Sequence, residues 1–504
     1  MSALRGADVL ARTLAAAGTR YVFTLSGNHV MPVFDAALDA GLDLVHVRHE
    51  AAAVHMADAW GRLTGEPGIA LVTGGPGHAN ALGALYTALA AQSPLVLISG
   101  HAPLAELGRG AFQEMAQAEL AAPLTKLSRT VQSAQSLGAE LARALREARS
   151  SPAGPVHLSV PNDVLDARLE ASIPARQELL TPAQTYSTEE AESLLELLGR
   201  AERPVIVCGP GGAHGRGRAR LQELEDASGV PVIVMESPRG VNDPALGRLA
   251  AVLARADLAL LAGKRRDFTL RFGAAFGDGC RVLEVPPALV ARLRPPRRLN
   301  SGGWLDEARA RLAYRPPEWN AIQDSLHPVV VCRAAQEILS GPDAILVCDG
   351  GEFGQWAQAC MRAPQRVING PAGSIGSALP FAAAAKLAFP AAPVVAMLGD
   401  GTFGFHMSEI DTAVRRGLAY VAVIGNDACW NAEYQIALRA YGAERAHSLD
   451  LLPTRYGAVA AAMGAHGEDV SSSSQLQGAL ARAAQAGKPA CVNVMIERAA
   501  APRY

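Results

Sequence analysis

Val394-Val-Ala-Met-Leu398 runs straight into Gly399-Asp400-Gly401-Thr402, and Tyr420-Val-Ala-Val-Ile424 runs into Gly425-Asn426-Asp427. Each is a short, continuous apolar run that stops at a glycine and an acid. Such runs read as strands buried on both faces of a parallel sheet. Asp400 and Asp427 then stand at carboxyl ends of strands, the edge where open α/β sheets hold ligands. The glycines flanking Asp400 let a backbone approach a phosphate closely. A helix starting after Thr402 would aim free N–H groups at an anion. Magnesium takes oxygen ligands, typically one or two carboxylates with substrate phosphates. Asp400, Asp427 and a backbone carbonyl, that of Cys429, are the candidate protein ligands. The plainer alternative is a turn at Gly-Asp-Gly and a helix cap at Asn-Asp. Two such motifs at strand ends, separated only by residues 402–425, argue against it.

Outward from this pair the same alternation covers the chain. Val22–Leu25, Ile69–Val72, Leu95–Ile98 and Val156–Val160 read as buried strands, with helical stretches such as Ala51–Leu63 and Ala79–Ala91 between them. A second group opens with an amphipathic helix over Glu189–Leu198, followed by strands at Pro204–Cys208, Val230–Val234 and Leu258–Leu261. A third begins near His327, with strands at Ala344–Cys348, Val394–Leu398, Tyr420–Ile424 and Ala490–Val494. The fold class expected is α/β: three doubly wound domains with mostly parallel sheets, over 1–170, 188–315 and 327–504. Ile173–Ser187 and a stretch from Arg294 to about Leu326 read as connections. The first and third parts share a coarse pattern, compatible with related folds.

Composition narrows the class. The 504 residues carry 19% charged side chains and a net charge of −2, a globular balance that excludes a nucleic-acid binder driven by counterion release. Seven scattered cysteines form no C-x-x-C pair, so a disulfide framework and structural zinc are not expected. The N-terminal Met1–Asp8 lacks the apolar core of a signal peptide, and no apolar run reaches the roughly 18 residues of a membrane span. The expectation is a soluble cytoplasmic protein without membrane or nucleic-acid partners.

Gly399-Asp400-Gly401, the spacer and Asn426-Asp427 resemble the motif of thiamine diphosphate-dependent enzymes, which runs from Gly-Asp-Gly to Asn-Asn. The sequence departs from it at the last position, where Asp427 replaces the usual Asn. Asp is also an oxygen ligand, so metal binding survives; the added charge beside a diphosphate implies a change in cofactor affinity. Arg48-His-Glu50 at a helix start, Thr73-Gly-Gly-Pro-Gly77 with Asn80, Ala111-Phe-Gln-Glu114 and Pro123-Leu-Thr-Lys126 resemble the acetolactate synthase branch. The resemblance covers nearly the whole chain and is looser in the middle.

That resemblance implies a pyrimidine-binding first domain, a central Rossmann-like domain and a diphosphate-binding third domain. It also implies roles for single residues. Thiamine diphosphate acts as a C2 ylid and electron sink. Glu50 matches the glutamate that hydrogen-bonds the aminopyrimidine N1′ and so promotes loss of the C2 proton. In isolation Glu50 also reads as a first-turn residue favoured by the helix dipole. In the family this glutamate serves the cofactor of a neighbouring subunit, which implies a homodimer or tetramer with sites between subunits. Gln113 resembles an active-site glutamine. Gly373-Ser374-Ile375 resembles the segment under the thiazolium ring, where Ile375 would wedge the cofactor and the Gly373 carbonyl would accept from its amino group. Gly351, Glu352 and Phe353, with Gly399, Gly401 and Thr402, are candidates for diphosphate contacts. Trp430, Asn431 and Glu433 form a substrate-side patch unlike standard acetolactate synthases, with Glu433 at the spacing of a proton-transfer glutamate in pyruvate decarboxylase-like enzymes. His29, His78 and His101, on nearby loops, are weaker candidates.

The middle part carries Val205-Ile-Val-Cys-Gly-Pro-Gly-Gly212, an incomplete dinucleotide fingerprint, and Ala262–Gly273, which resembles 2-hydroxyacyl-CoA lyases and oxalyl-CoA decarboxylases. Relatives bind FAD or an adenine nucleotide here. Lys264, Arg265, Arg266 and Arg292 are candidates for such phosphates, against the alternative of a solvated basic face. The function expected is a thiamine diphosphate- and magnesium-dependent carbon–carbon lyase or carboligase acting on a 2-keto acid or related carbonyl compound. The alternatives are a 2-hydroxyacyl-CoA lyase or oxalyl-CoA decarboxylase-like activity, and a non-catalytic cofactor-binding relative.

Overall fold

The computed structural model describes residues 3–180, 186–300 and 302–503. They fall into two compact units, one within 1–185 plus 213–216 and the other within 186–212 plus 217–504. Part of the expected Ile173–Ser187 connection, residues 181–185, lies outside the described residues.

The first unit holds a six-stranded parallel sheet. Its spatial order is Asp43–His46, Tyr21–Thr24, Gly68–Val72, Leu95–His101, Pro155–Pro161 and Leu127–Thr130. The second unit holds a four-stranded parallel sheet, Val232–Val234, Pro204–Cys208, Leu258–Ala262 and Arg281–Val285. It also holds a six-stranded parallel sheet: Gln365–Ile368, Ile345–Cys348, Val394–Gly399, Val421–Asn426, Ala490–Met495 and His466–Val470.

Numbered by their own chain order, both six-stranded sheets run 2-1-3-4-6-5. The chain reverses its direction of travel between strands 1 and 3 in each, and a crevice opens there at the carboxyl ends. The coarse likeness between the first and third parts is thus a shared topology.

Central strands follow their sequence. Ile345–Cys348 and Pro204–Cys208 are buried at every position, because helices cover both faces. Each such Leu or Ile contributes about 1.5–3 kcal/mol by leaving water. Asp43–His46, Leu127–Thr130, Arg281–Val285, Gln365–Ile368 and His466–Val470 are additions to the expected strands, and all five lie at sheet edges. The stretch after Arg294 needs correction. It contains the helix Trp304–Leu312, whose Trp304 is buried in the central core and donates Nε1–H to the Pro204 carbonyl at 2.9 Å.

Candidate active site

Three strand ends of the larger sheet in the second unit converge on one cavity of about 200 Å³. Strand Ile345–Cys348 delivers Gly351, Glu352 and Phe353 at the start of helix Gly351–Cys360. Strand Val394–Gly399 delivers Asp400, Gly401 and Thr402, and strand Val421–Asn426 delivers Asp427, Cys429 and Trp430. Gly373, Ile375, Asn431 and Glu433 complete the expected set on its wall. Ser374 stands just off the wall, where its carbonyl accepts from Asn369 Nδ2 at 2.9 Å.

The helix after Gly399 starts at Asp400 itself, earlier than after Thr402, with Gly399 as an extended N-cap. Asp400 therefore sits in the first turn, where free N–H groups stabilise a carboxylate. Its Oδ2 is buried and has no hydrogen-bond partner among the described residues. Burial pushes the Asp400 carboxyl up to about 6. Burial, helped by the charge of Asp400, pushes Asp427 up to about 7. Two neighbouring acids that resist ionisation, one with a buried oxygen that has no partner among the described residues, fit a divalent cation. The donor set is all oxygen, which fits magnesium.

Sterics shape the wall. A side-chain carbon at Gly401 would stand 2.7 Å from the Trp430 ring, and one at Gly425 would stand 2.4 Å from Phe353. The glycines leave room for those rings, and the wall can approach a bulky anion. Asn426 faces away from the cavity. Its amide donates to the Thr454 carbonyl and to Asn493 Oδ1 while accepting from Ala428 N–H, which braces the turn that presents Asp427.

Several groups were not apparent beforehand. Asp349, fully buried, accepts from the backbone N–H of Gly350, Gly376 and Ala378 at 2.8–3.0 Å, and burial still pushes it up to about 6. It fastens the loop that carries Ile375. An acid followed by glycine at a strand end, as at Asp400, was the available signal. Ser237, Pro238 and Arg239, beyond the strand Val232–Val234, add a wall from the central part. Glu352 is buried, and burial raises its pKa against the lowering effect of the Ala501 N–H from which it accepts at 2.6 Å. Its first-turn N–H groups, more than its carboxylate, suit an anion. Lys264 is buried and paired with Asp267 at 2.9 Å, and Arg266 pairs with Glu284 at 3.7 Å.

The first unit builds the second half of the expected set. His49 caps the helix Glu50–Thr64, its Nδ1 accepting from Ala51 N–H at 3.1 Å. Glu50 is the first helical residue and is 7% exposed. Its Oε2 accepts from Asn80 Nδ2, and its Oε1 lies 3.3 Å from where a side chain on Gly77 would begin. Gln113 packs on the same turn, its Cβ 2.8 Å from the corresponding point on Gly75. Gln117 ties that turn down, accepting from Gly75 N–H and donating to the Gly100 carbonyl. His29 reaches Thr73 Oγ1 at 3.3 Å. His78 lies deeper beside Ser99, and burial pushes it down to about 4. His101 contacts the carbonyls of Ala102 and Met115.

Among the described residues no helix is long and apolar enough to cross a membrane. Two family models match the chain. "Thiamine pyrophosphate enzyme, N-terminal TPP binding domain" covers residues 4–120, and "Thiamine pyrophosphate enzyme, C-terminal TPP binding domain" covers 349–494. The probable acetolactate synthase of Mycobacterium bovis is 35% identical over 97% of this chain and 95% of its own length. The acetolactate synthase large subunit IlvG of Mycobacterium tuberculosis matches to the same extent. The 2-hydroxyacyl-CoA lyase 2 of Mus musculus is 31% identical over 92% of this chain and 84% of its own length.

Proposed function

The chain belongs to the thiamine pyrophosphate enzymes, with acetolactate synthases and 2-hydroxyacyl-CoA lyases among its relatives, and we propose that it is a magnesium-dependent carbon–carbon lyase or carboligase acting on a 2-keto acid or related carbonyl compound. One observation carries the proposal. The buried Asp400 Oδ2, without a partner among the described residues, stands beside Asp427 in a glycine-cleared cavity at a topological switch point, a pair of oxygen donors that suits a cation.

In this reading Asp400, Asp427 and the Cys429 carbonyl hold magnesium. The N–H groups that open the helices at Gly351 and Asp400 receive the diphosphate, and Ile375 supports the ring above it. When bound, thiamine diphosphate supplies a carbanion-forming carbon and an electron sink. Glu50 offers Oε1 to the pyrimidine edge of a neighbouring subunit's cofactor, and Gln113 and Glu433 are the substrate-side residues. Trp430 and Phe353 keep water from the centre. The three-part division at 1–170, 188–315 and 327–504, and a homodimer or tetramer, belong to the same proposal.

Calorimetry with thiamine diphosphate, with and without magnesium, tests the binding half. Mass spectrometry of products from 2-keto acids, aldehydes and acyl-CoA thioesters, with Glu50→Gln as control, tests the chemistry. Metal-independent binding, or turnover unaffected by Glu50→Gln, would contradict the proposal. The 2-hydroxyacyl-CoA lyase relatives support a second reading, in which turnover occurs with 2-hydroxyacyl-CoA and is absent with pyruvate.

A further inference from the structure

A second cavity, of about 220 Å³, lies in the same unit where the edge strand Val232–Val234 meets the segment Met361–Arg366. The charged side chains on its wall are all guanidinium: Arg218, Arg362 and Arg366, joined by the neutral Gln222. Leu246, Leu312 and Met361 make its apolar side. No acid lines it. Carboxylates stand off the wall: Glu236 Oε2 accepts from Arg218 and Arg366, each at 2.7 Å, and Glu225 and Asp226 accept from Gln222. Burial opposes ionisation of Glu236, yet those two arginines hold it down at about 2, so one carboxylate is shared between two cations.

Arg366 is the most enclosed of the three arginines, with a side chain 14% exposed against 33% for Arg218. Its Nε is buried and unpartnered among the described residues. A guanidinium is matched geometrically by a two-oxygen anion, and the three on this wall share one carboxylate between two of them. Asp243 also stands near Arg366, and burial raises its pKa; it is not on the wall.

We propose that this cavity is a binding site for a small organic anion, a phosphomonoester or carboxylate with an apolar body, held by Arg218, Arg362 and Arg366 and packed against Leu246, Leu312 and Met361. The volume equals about seven waters at ~30 Å³ each, enough for one ring and its acidic group. The site shares no wall residue with the diphosphate cavity. It is independent of the catalytic reading.

The test is isothermal calorimetry on the full chain, with thiamine diphosphate and magnesium added in excess. The probes are phenyl phosphate, benzoate, inorganic phosphate and phenol. Saturable binding of phenyl phosphate or benzoate is expected, with phenol silent and inorganic phosphate weaker; the tighter organic anion identifies the acidic group. Arg218→Gln and Arg362→Gln should each weaken binding about tenfold or more; the exposed Arg362→Gln should leave the melting temperature unchanged, whereas Arg218→Gln should lower it by taking one partner from the buried Glu236. Absence of saturable binding by both organic anions, or affinities unmoved by both substitutions, overturns the site. Inorganic phosphate binding as tightly as phenyl phosphate overturns the role of the apolar wall.

Discussion

Asn80 Nδ2 donates to Glu50 Oε2 at 3.0 Å, joining the second turn of one helix to the first residue of another. With Oε2 committed as an acceptor, a proton on this carboxyl belongs on Oε1, the oxygen nearer Gly77. In the proposed function Asn80 is thus a positioning residue that leaves Oε1 as the oxygen offered to the cofactor. A hydrogen bond to an ionisable group is worth about 1.5–3 kcal/mol. Asn80→Ala is therefore expected to slow C2 proton exchange of bound cofactor roughly 10- to 100-fold, as followed by NMR in deuterated buffer. Exchange at the parent rate would refute the role.

The two buried acids make a pH prediction. Asp400 and Asp427 are raised to about 6 and about 7 in the folded chain. Groups raised on folding favour the native state at low pH, and that contribution is lost as pH rises through the folded values. The cofactor-free protein should therefore lose stability between about pH 4 and pH 7 at these two sites, from the ordinary carboxylate range up to the raised values. A cation removes the penalty. Magnesium with thiamine diphosphate should raise the melting temperature more at the upper end of that range, and binding there should release fewer protons than at about pH 6. An equal thermal shift at both ends would rule this out.

Asp427→Asn removes one of two neighbouring buried acids. The cofactor-free protein should gain stability at neutral pH, because like-charge crowding disappears. Affinity for magnesium alone should fall, while thiamine diphosphate without metal should bind more tightly. Denaturant melts and calorimetry on the two proteins test each direction. An unchanged response to all three would show that Asp427 does not face the site.

Gly401→Ala places a carbon 2.7 Å from the Trp430 ring. Overpacking of this kind costs about 1–3 kcal/mol, read from urea unfolding. Cofactor affinity should fall as well, because Trp430 has to swing into the cavity it lines. Full affinity and full stability in this variant would mean that the ring moves freely.

The sequence pattern was most legible where burial is complete. Central strands such as Val394–Gly399 are continuous apolar runs, so their ends and the acids there could be located. Edge strands such as His466–Val470 and Arg281–Val285 face water on one side and mix in charged residues, which hides them from the same test. Gly399-Asp400-Gly401 reads as a turn because glycine is a poor helix former. The sheet end overrides that preference and starts the helix at Asp400. The link from Asn80 to Glu50 depends on how two helices pack, and the wall at Ser237–Arg239 comes from another sheet. Neither leaves a local pattern in the chain.

Asp349 holds the N–H groups of Gly376 and Ala378, while Asn369 holds the carbonyl of Ser374. Residue 375 is therefore pinned on both sides through main-chain atoms alone. Exchanging its side chain leaves those anchors untouched. A graded series from Ile375 to Val, Ala and Gly would act as a dial on the support beneath the bound ring, changing its height without redrawing the loop.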